Sequence, residues 1–233
     1  MASAPPTIDD VIAQMRAIDT ALPQSDGVAW FNKLYLAVTE AVREAMREGQ
    51  FVASRFLERL DIVFAGHYFR AYEVGQRDPG AAPKAWAPLF AARDRRDVAP
   101  IQFGLAGMNA HINYDLGLAL VETAGELGVK LGRQNAEFRD FEQVNSILVD
   151  TEQRVKRWFA TGFVAVIDRA FGRLDDVLAM WKVERARDQA WTTAETLMQL
   201  ADTPALRRQY LGALEDMVGF AGRGLLIPTA TDG

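Results

Sequence analysis

The longest apolar stretch of the chain runs from Ile101 to Val121 and carries polar residues in its interior. Pro100 precedes it, and proline is well tolerated in the first turn of a helix. An apolar run of this length without alternation of period two predicts a helix buried among other helices. Polar residues inside such a helix must find partners within the protein, so this stretch is the first place to look for a site. They are Asn109, His111, Asn113 and Asp115.

Apolar residues recur at spacings of three and four along most of the remaining chain, which is typical of amphipathic helices. No segment alternates long enough to indicate a strand. The sequence therefore predicts an all-α fold, a single-domain bundle of seven to nine helices over residues 8–228, with a disordered N-terminus at 1–7 and a flexible tail at 229–233. The predicted helices cover residues 8–21, 28–48, 54–74, 86–92, 100–128, 135–159, 162–169, 174–200 and 204–218.

Composition excludes several classes of function. The net charge is −5 and the Arg-rich patches are interleaved with acids, so we expect no nucleic-acid binding. Cysteine is absent, which excludes disulfides, thiolate metal sites and cysteine nucleophiles. We see no signal peptide and no apolar run of the ~20 residues that a membrane span requires. We therefore expect a cytoplasmic protein, and a homo-oligomer is compatible with the sequence.

The absence of several known sequence motifs excludes further classes of function. The chain has no phosphate-binding loop, no glycine-rich dinucleotide fingerprint after a strand and no nucleophile elbow. Gly104 and Gly107 lie within the predicted central helix, where we expect them to permit close helix packing. Nucleotide-driven and dinucleotide-dependent redox chemistry are therefore not expected.

The run Gly-Met-Asn-Ala-His-Ile-Asn-Tyr-Asp-Leu at 107–116 resembles the signature of a bacterial family described only as a domain of unknown function. Shorter blocks resemble other parts of the same family, among them Asp26-Gly27-Val28, Leu60-Asp61 and Val144-Asn145. The resemblance covers residues 11–226. It implies a single all-α domain and no settled activity, so a site has to be argued from chemistry.

Helical geometry places His111 and Asp115 about 40° apart on one face of the central helix, close enough to touch. A carboxylate bonded to one imidazole nitrogen orients the ring and raises the basicity of the other nitrogen. We predict that His111 and Asp115 are a catalytic dyad for proton transfer. The same pair is also consistent with a structural ion pair. Asn109 and Asn113 form a second row across an apolar strip, where they either bind a ligand or satisfy carbonyls of a nearby loop.

Residues on other helices are candidate ligand contacts. Asn145 lies on the apolar stripe of its helix, and we expect it to bond Asp115 or Asn113. Asp61 lies on a mostly apolar face, where it is either paired with Arg55 or a tyrosine or belongs to the site. The predicted substrate-binding residues are Asn109, Asn113, Asn145, Asp61, Tyr35, Phe64 and Tyr68, with Tyr114 as a further pocket residue.

Three hypotheses follow from these residues. The first is a small-molecule enzyme without a cofactor, whose apolar interhelical pocket takes a small apolar or amphipathic molecule through isomerase, cyclase, lyase or hydrolase chemistry. The second is a mononuclear zinc or iron enzyme using His67, His111 and Asp115, although no established metal motif is present. The third is a non-catalytic protein that binds a ligand or a partner helix. An enclosed His111 ring with both nitrogens bonded to protein would contradict the first hypothesis.

Overall fold

Breakers and capping residues divide the chain into nine α-helices within the part that our computed structural model describes, residues 6–161 and 183–228, with side chains described outside 150–161. No strand occurs in these two ranges, so the predicted all-α bundle of seven to nine helices is confirmed. The helices are α1 Ile8–Ala21, α2 Gly27–Arg47, α3 Ser54–Arg77, α4 Ala87–Ala92, α5 Pro100–Ala110, α6 Leu116–Leu127, α7 Ala136–Thr161, α8 Val183–Gln199 and α9 Pro204–Leu225.

Side-chain caps determine where several helices begin. The hydroxyl of Thr7 accepts a hydrogen bond from the Asp10 amide, and the Asp10 carboxylate accepts one from the Thr7 amide, so Thr7 caps α1. Asp26 accepts from the Val28 amide at 2.8 Å and so caps α2. The same carboxylate binds Arg93 at 2.5 Å, which ties the start of α2 to the segment after α4.

The central helix is continuous but not uniformly α-helical. Between α5 and α6, residues His111–Asp115 form one π-helical turn, in which the Leu116 amide donates to the carbonyl of His111 five residues earlier. The turn contains one residue more than an α-turn. A plain α-helix would place Leu116 about 80° from Met108. The extra residue rotates Leu116 back by about 100°, so that it joins the face of Met108.

The central column of α5, the π-turn and α6 packs against α2, α3, α8 and α9. Glycine makes the closest approach possible. A Cβ on Gly107 would lie 2.4 Å from the ring of Phe31 in α2, and one on Gly117 would lie 2.8 Å from Thr193 in α8. The prediction that glycine permits close packing of this helix is therefore confirmed at Gly107. No described helix is long and apolar enough to cross a membrane.

Two predicted helix ends are wrong. Helix α3 runs on to Arg77, so Gly75 lies inside it, and the ring of Phe90 occupies the space that a side chain at this position would need. Helix α9 continues to Leu225, past the predicted end at Val218. The predicted helix at 162–169, the first part of the one at 174–200, and the predicted ends at 1–5 and 229–233 lie outside the described residues.

Candidate functional site

A cavity of about 60 Å³ lies between α2, α3, α7, α8 and the central column. This volume is well above the roughly 10–15 Å³ that a cavity needs in order to hold one water. Most of its wall is apolar, with Leu34, Val38, Leu57, Met108, Ile112 and Leu148 among the lining residues. Its polar residues are Tyr35, Thr39, Asp61, His111 and Arg187. This combination of an apolar wall and a few polar groups is typical of small-molecule sites.

His111 and Asp115 are in contact, as the helical spacing predicted. Nδ1 of His111 lies 3.0 Å from Oδ2 of Asp115, and the indole nitrogen of Trp86 donates to the same oxygen at 3.0 Å. An indole N–H can only donate, so Oδ2 acts as an acceptor. When Asp115 is ionised, the nitrogen that shares this oxygen is the protonated one, which leaves a lone pair on Nε2 of His111.

Aromatic rings surround the imidazole and hold it in one orientation. The ring of Phe64 stacks on His111 with centroids 3.5 Å apart and planes 4° apart. The ring of Tyr35 meets it edge-on at 4.4 Å, and Phe31 and Trp86 lie at 5.7 and 5.8 Å. His111 is 2% exposed, yet its Nε2 has no hydrogen-bond partner in the described part of the chain. The ring is therefore enclosed but only one of its nitrogens is bonded.

Burial also changes the protonation of the pair. Desolvation lowers the pKa of His111 well below its ordinary value, because it penalises the charged imidazolium. Desolvation raises the pKa of Asp115 to about 7, and this rise is opposed by the charge of His67 and the hydrogen bond from Trp86. At neutral pH and above, the imidazole is neutral and its lone pair is available.

A second polar group faces the cavity from α3 and α8. Burial raises the pKa of Asp61 to about 7, and its Oδ2 has no hydrogen-bond partner among the described residues. The guanidinium of Arg187 donates from Nε to Asn145 at 2.7 Å and from Nη2 to the Phe141 carbonyl at 2.6 Å. Burial lowers the pKa of Arg187 to about 10, so it stays cationic at neutral pH.

The structure brings some predicted residues to the cavity and places others elsewhere. Tyr35, Phe64 and Asp61 line it together with His111. Asn109 and Asn113 do not. Asn109 donates to the Val218 carbonyl of α9 at 2.9 Å, and Asn113 donates to Asn109 at 3.0 Å. This asparagine row ties the central helix to α9, so it neither faces the cavity nor bonds the carbonyls of a loop.

Asn145 and Tyr68 also differ from prediction. Asn145 accepts from Arg187 of α8 rather than bonding Asp115 or Asn113. Tyr68 donates to Asn32 at 3.2 Å, and neither Tyr68 nor Tyr114 lines the cavity. Sequence reasoning missed Arg187 and Trp86. Arg187 precedes the buried Ala190 and Ala194 by three and seven residues, so its place on a buried stripe was a usable signal.

The metal alternative requires His67 beside His111 and Asp115. Instead Nε2 of His67 lies 3.1 Å from Glu122 at the edge of the bundle. Within residues 6–161 and 183–228, no group of three or more His, Cys, Asp or Glu side chains could hold a metal ion. His67, His111 and Asp115 therefore do not form the predicted zinc or iron site.

The sequence profile of a family described as "Family of unknown function (DUF5995)" matches residues 8–228. The chain belongs to this family. The match covers nearly the whole chain, so the resemblance to a family of unknown function is confirmed. No curated protein and no solved structure shows significant similarity to the chain. Membership in DUF5995 names no activity, and a function has to be argued from the cavity.

Proposed function

We propose that this protein is a small-molecule enzyme that uses non-redox acid–base chemistry, with His111 as the general base and Asp115 as the residue that orients it. One observation carries the proposal: Nε2 of His111 is buried at a cavity and has no partner among the described residues. A buried polar atom left unbonded costs about 1–3 kcal/mol. Such a cost is expected where the atom serves a ligand.

Proton transfer at this site is chemically consistent. With its proton on Nδ1, His111 can take a second proton at Nε2 from an O–H, an N–H or an acidic C–H of the ligand. The Asp115 carboxylate then faces an imidazolium, and the pair is neutral overall. Trp86 keeps the carboxylate turned toward His111 during this step. Reactions of the isomerisation, cyclisation, elimination and hydrolysis classes can each begin with such a transfer.

The π-turn supports a functional role for this part of the helix. An interruption of an α-helix by one extra residue forfeits regular hydrogen bonding, and such turns occur often at functional sites. Here the turn is made of the residues from His111 to Asp115. Its effect is to turn Leu116 toward the cavity beside His111.

A non-catalytic binding protein is the second candidate, and one observation favours it. The Phe64 ring lies flat on the imidazole at 3.5 Å, which restricts ring movement during proton transfer. In this alternative, the Nε2 lone pair of His111 accepts a hydrogen bond from the ligand and no bond in the ligand changes.

Deuterium exchange distinguishes the two. A panel of aldehydes, ketones, hydroxy acids and esters small enough for the cavity is incubated with the protein in D₂O, and loss of C–H signals and ester cleavage are followed by ¹H NMR. We expect turnover of at least one compound and a loss of about 100-fold or more in His111→Gln. His67→Gln is the matched control, because His67 bonds Glu122 away from the cavity. Ligand binding without exchange or cleavage, or full activity of His111→Gln, contradicts catalysis by His111.

A further inference from the structure

We propose that Asp61 and Arg187 form a binding site for the carboxylate of a short-chain aliphatic monocarboxylic acid. This inference rests on the proposed function, because the carboxylate would orient such a substrate for His111. Asp61 and Arg187 line the same cavity as His111. Three features of the cavity support it: a fixed cation, an unbonded carboxyl oxygen, and the size and polarity of the remaining wall.

The cation is held in place before any ligand enters. Arg187 is 7% exposed, and its guanidinium lies 4.1 Å from the ring centroid of Phe141. Its hydrogen bonds go to neutral oxygens of Asn145 and Phe141 rather than to a carboxylate. The charges of Asp61 and Glu142 still favour its protonated form. A buried guanidinium with neutral partners gains strongly from an anion, and carboxylates match its geometry.

Asp61 complements the cation as a hydrogen-bond donor. Its Oδ2 is buried without a partner, and its hydrogen bond can be completed by a ligand. The charged or titratable groups that act on it are Arg187 from α8, Glu58 on its own helix and Tyr35 from α2, and His111 lines the same cavity. When a carboxylate enters beside Arg187, repulsion favours protonated Asp61, whose O–H donates to the second carboxylate oxygen.

The rest of the cavity selects the ligand. Among the described residues that line the cavity, Arg187 is the one cation, and its single charge matches a monoanion better than a dianion such as phosphate. The volume of about 60 Å³ excludes long chains. Leu34, Val38 and Val42 offer an apolar wall that suits a few methylene groups. A small aliphatic monocarboxylate such as butyrate, with one anionic group and a short apolar chain, meets these conditions.

Butyrate and butyramide, which share shape and differ in charge, test this with the native chain. We expect titration calorimetry at pH 6 to show butyrate binding at least 10-fold more tightly than butyramide. Arg187→Gln should lose this preference, whereas Arg185→Gln, which changes an exposed arginine of the same helix, should keep it. Equal affinity for the two compounds, or no butyrate binding at all, overturns the proposal even where Arg187→Gln fails to fold. So does unchanged butyrate affinity in a folded Arg187→Gln variant.

The pH dependence of butyrate binding, which reports protonation of Asp61, gives a second readout. Butyrate binding to the native chain should weaken by up to about 10-fold for each pH unit above 7, because Asp61 must be protonated. Asp61→Asn keeps a donor without ionising and should remove this dependence, and a pH dependence that persists in this variant contradicts the role of Asp61. If butyrate still binds to His111→Gln but the native chain catalyses no C–H exchange, only the catalytic proposal is refuted. If the native chain catalyses C–H exchange of neutral ketones but shows no preference for carboxylates, only the carboxylate-site proposal is refuted.

Discussion

Asp61→Asn should stabilise the protein, and the gain should grow with pH. Burial raises the pKa of Asp61 from its ordinary value of 3.8 to about 7. Because the folded-state pKa is the higher one, the contribution of Asp61 to stability is complete below pH 3.8 and is lost as pH rises to about 7. Each pH unit corresponds to about 1.4 kcal/mol, so the penalty grows by about 3 kcal/mol between pH 5 and pH 7.

Urea denaturation of native protein and Asp61→Asn at pH 5 and pH 8 measures this effect. We expect the variant to be about 1.5 kcal/mol more stable than the native protein at pH 5, and this gain to be about 2–3 kcal/mol larger at pH 8, after allowing for solvent in the cavity. Other titrating groups, Asp115 included, contribute to both proteins and cancel in the difference. Asp202→Asn removes an exposed carboxyl group and controls for the change in net charge. A difference that does not change with pH refutes the raised pKa and the reasoning built on it.

Two further substitutions test the central helix. Gly107→Ala should destabilise the fold by about 1–3 kcal/mol by thermal or urea denaturation, because its Cβ would lie 2.4 Å from the Phe31 ring. Gly125→Ala, with nothing within 4 Å of the new Cβ, should instead gain up to about 1 kcal/mol, and equal effects would contradict the packing argument. Trp86→Phe removes a donor to Asp115 and should cost about 1–2 kcal/mol at pH 8. An unchanged free energy of unfolding would show that this hydrogen bond does not support the carboxylate.

Most of the helical fold could be predicted because its signals are local. Thr7, Asp26 and Asn135 precede amphipathic stretches, and each accepts a hydrogen bond from the first turn of its helix. The helix ends at Gly75 and Val218 could not be read in this way. Whether a glycine ends a helix depends on what packs against it, and at Gly75 that is a ring from α4. This information belongs to tertiary structure.

The candidate site was predictable only in part, for the same reason. The contact of His111 with Asp115 follows from spacing within one helix. The partners of Asn145 depend on which helix faces it, and periodicity does not specify this. The π-turn is also invisible to a helical wheel, since the residues 111–115 have ordinary helical spacing in the sequence.

The two polar rows of the central helix have different surroundings. This difference bears on whether the helix has only a structural role or also forms part of a ligand site. Asn109 and Asn113 bond each other and the backbone of α9, so that row is internally satisfied and needs nothing further. Asp115 contacts both His111 and Trp86, but His111 is bonded at one nitrogen only, and its open nitrogen is at the cavity. If the helix had only a structural role, hydrogen bonds to both rows would make the fold more stable, because a buried nitrogen without a hydrogen-bond partner lowers stability. The unequal satisfaction of the two rows is therefore the strongest physical reason to look for a ligand at His111.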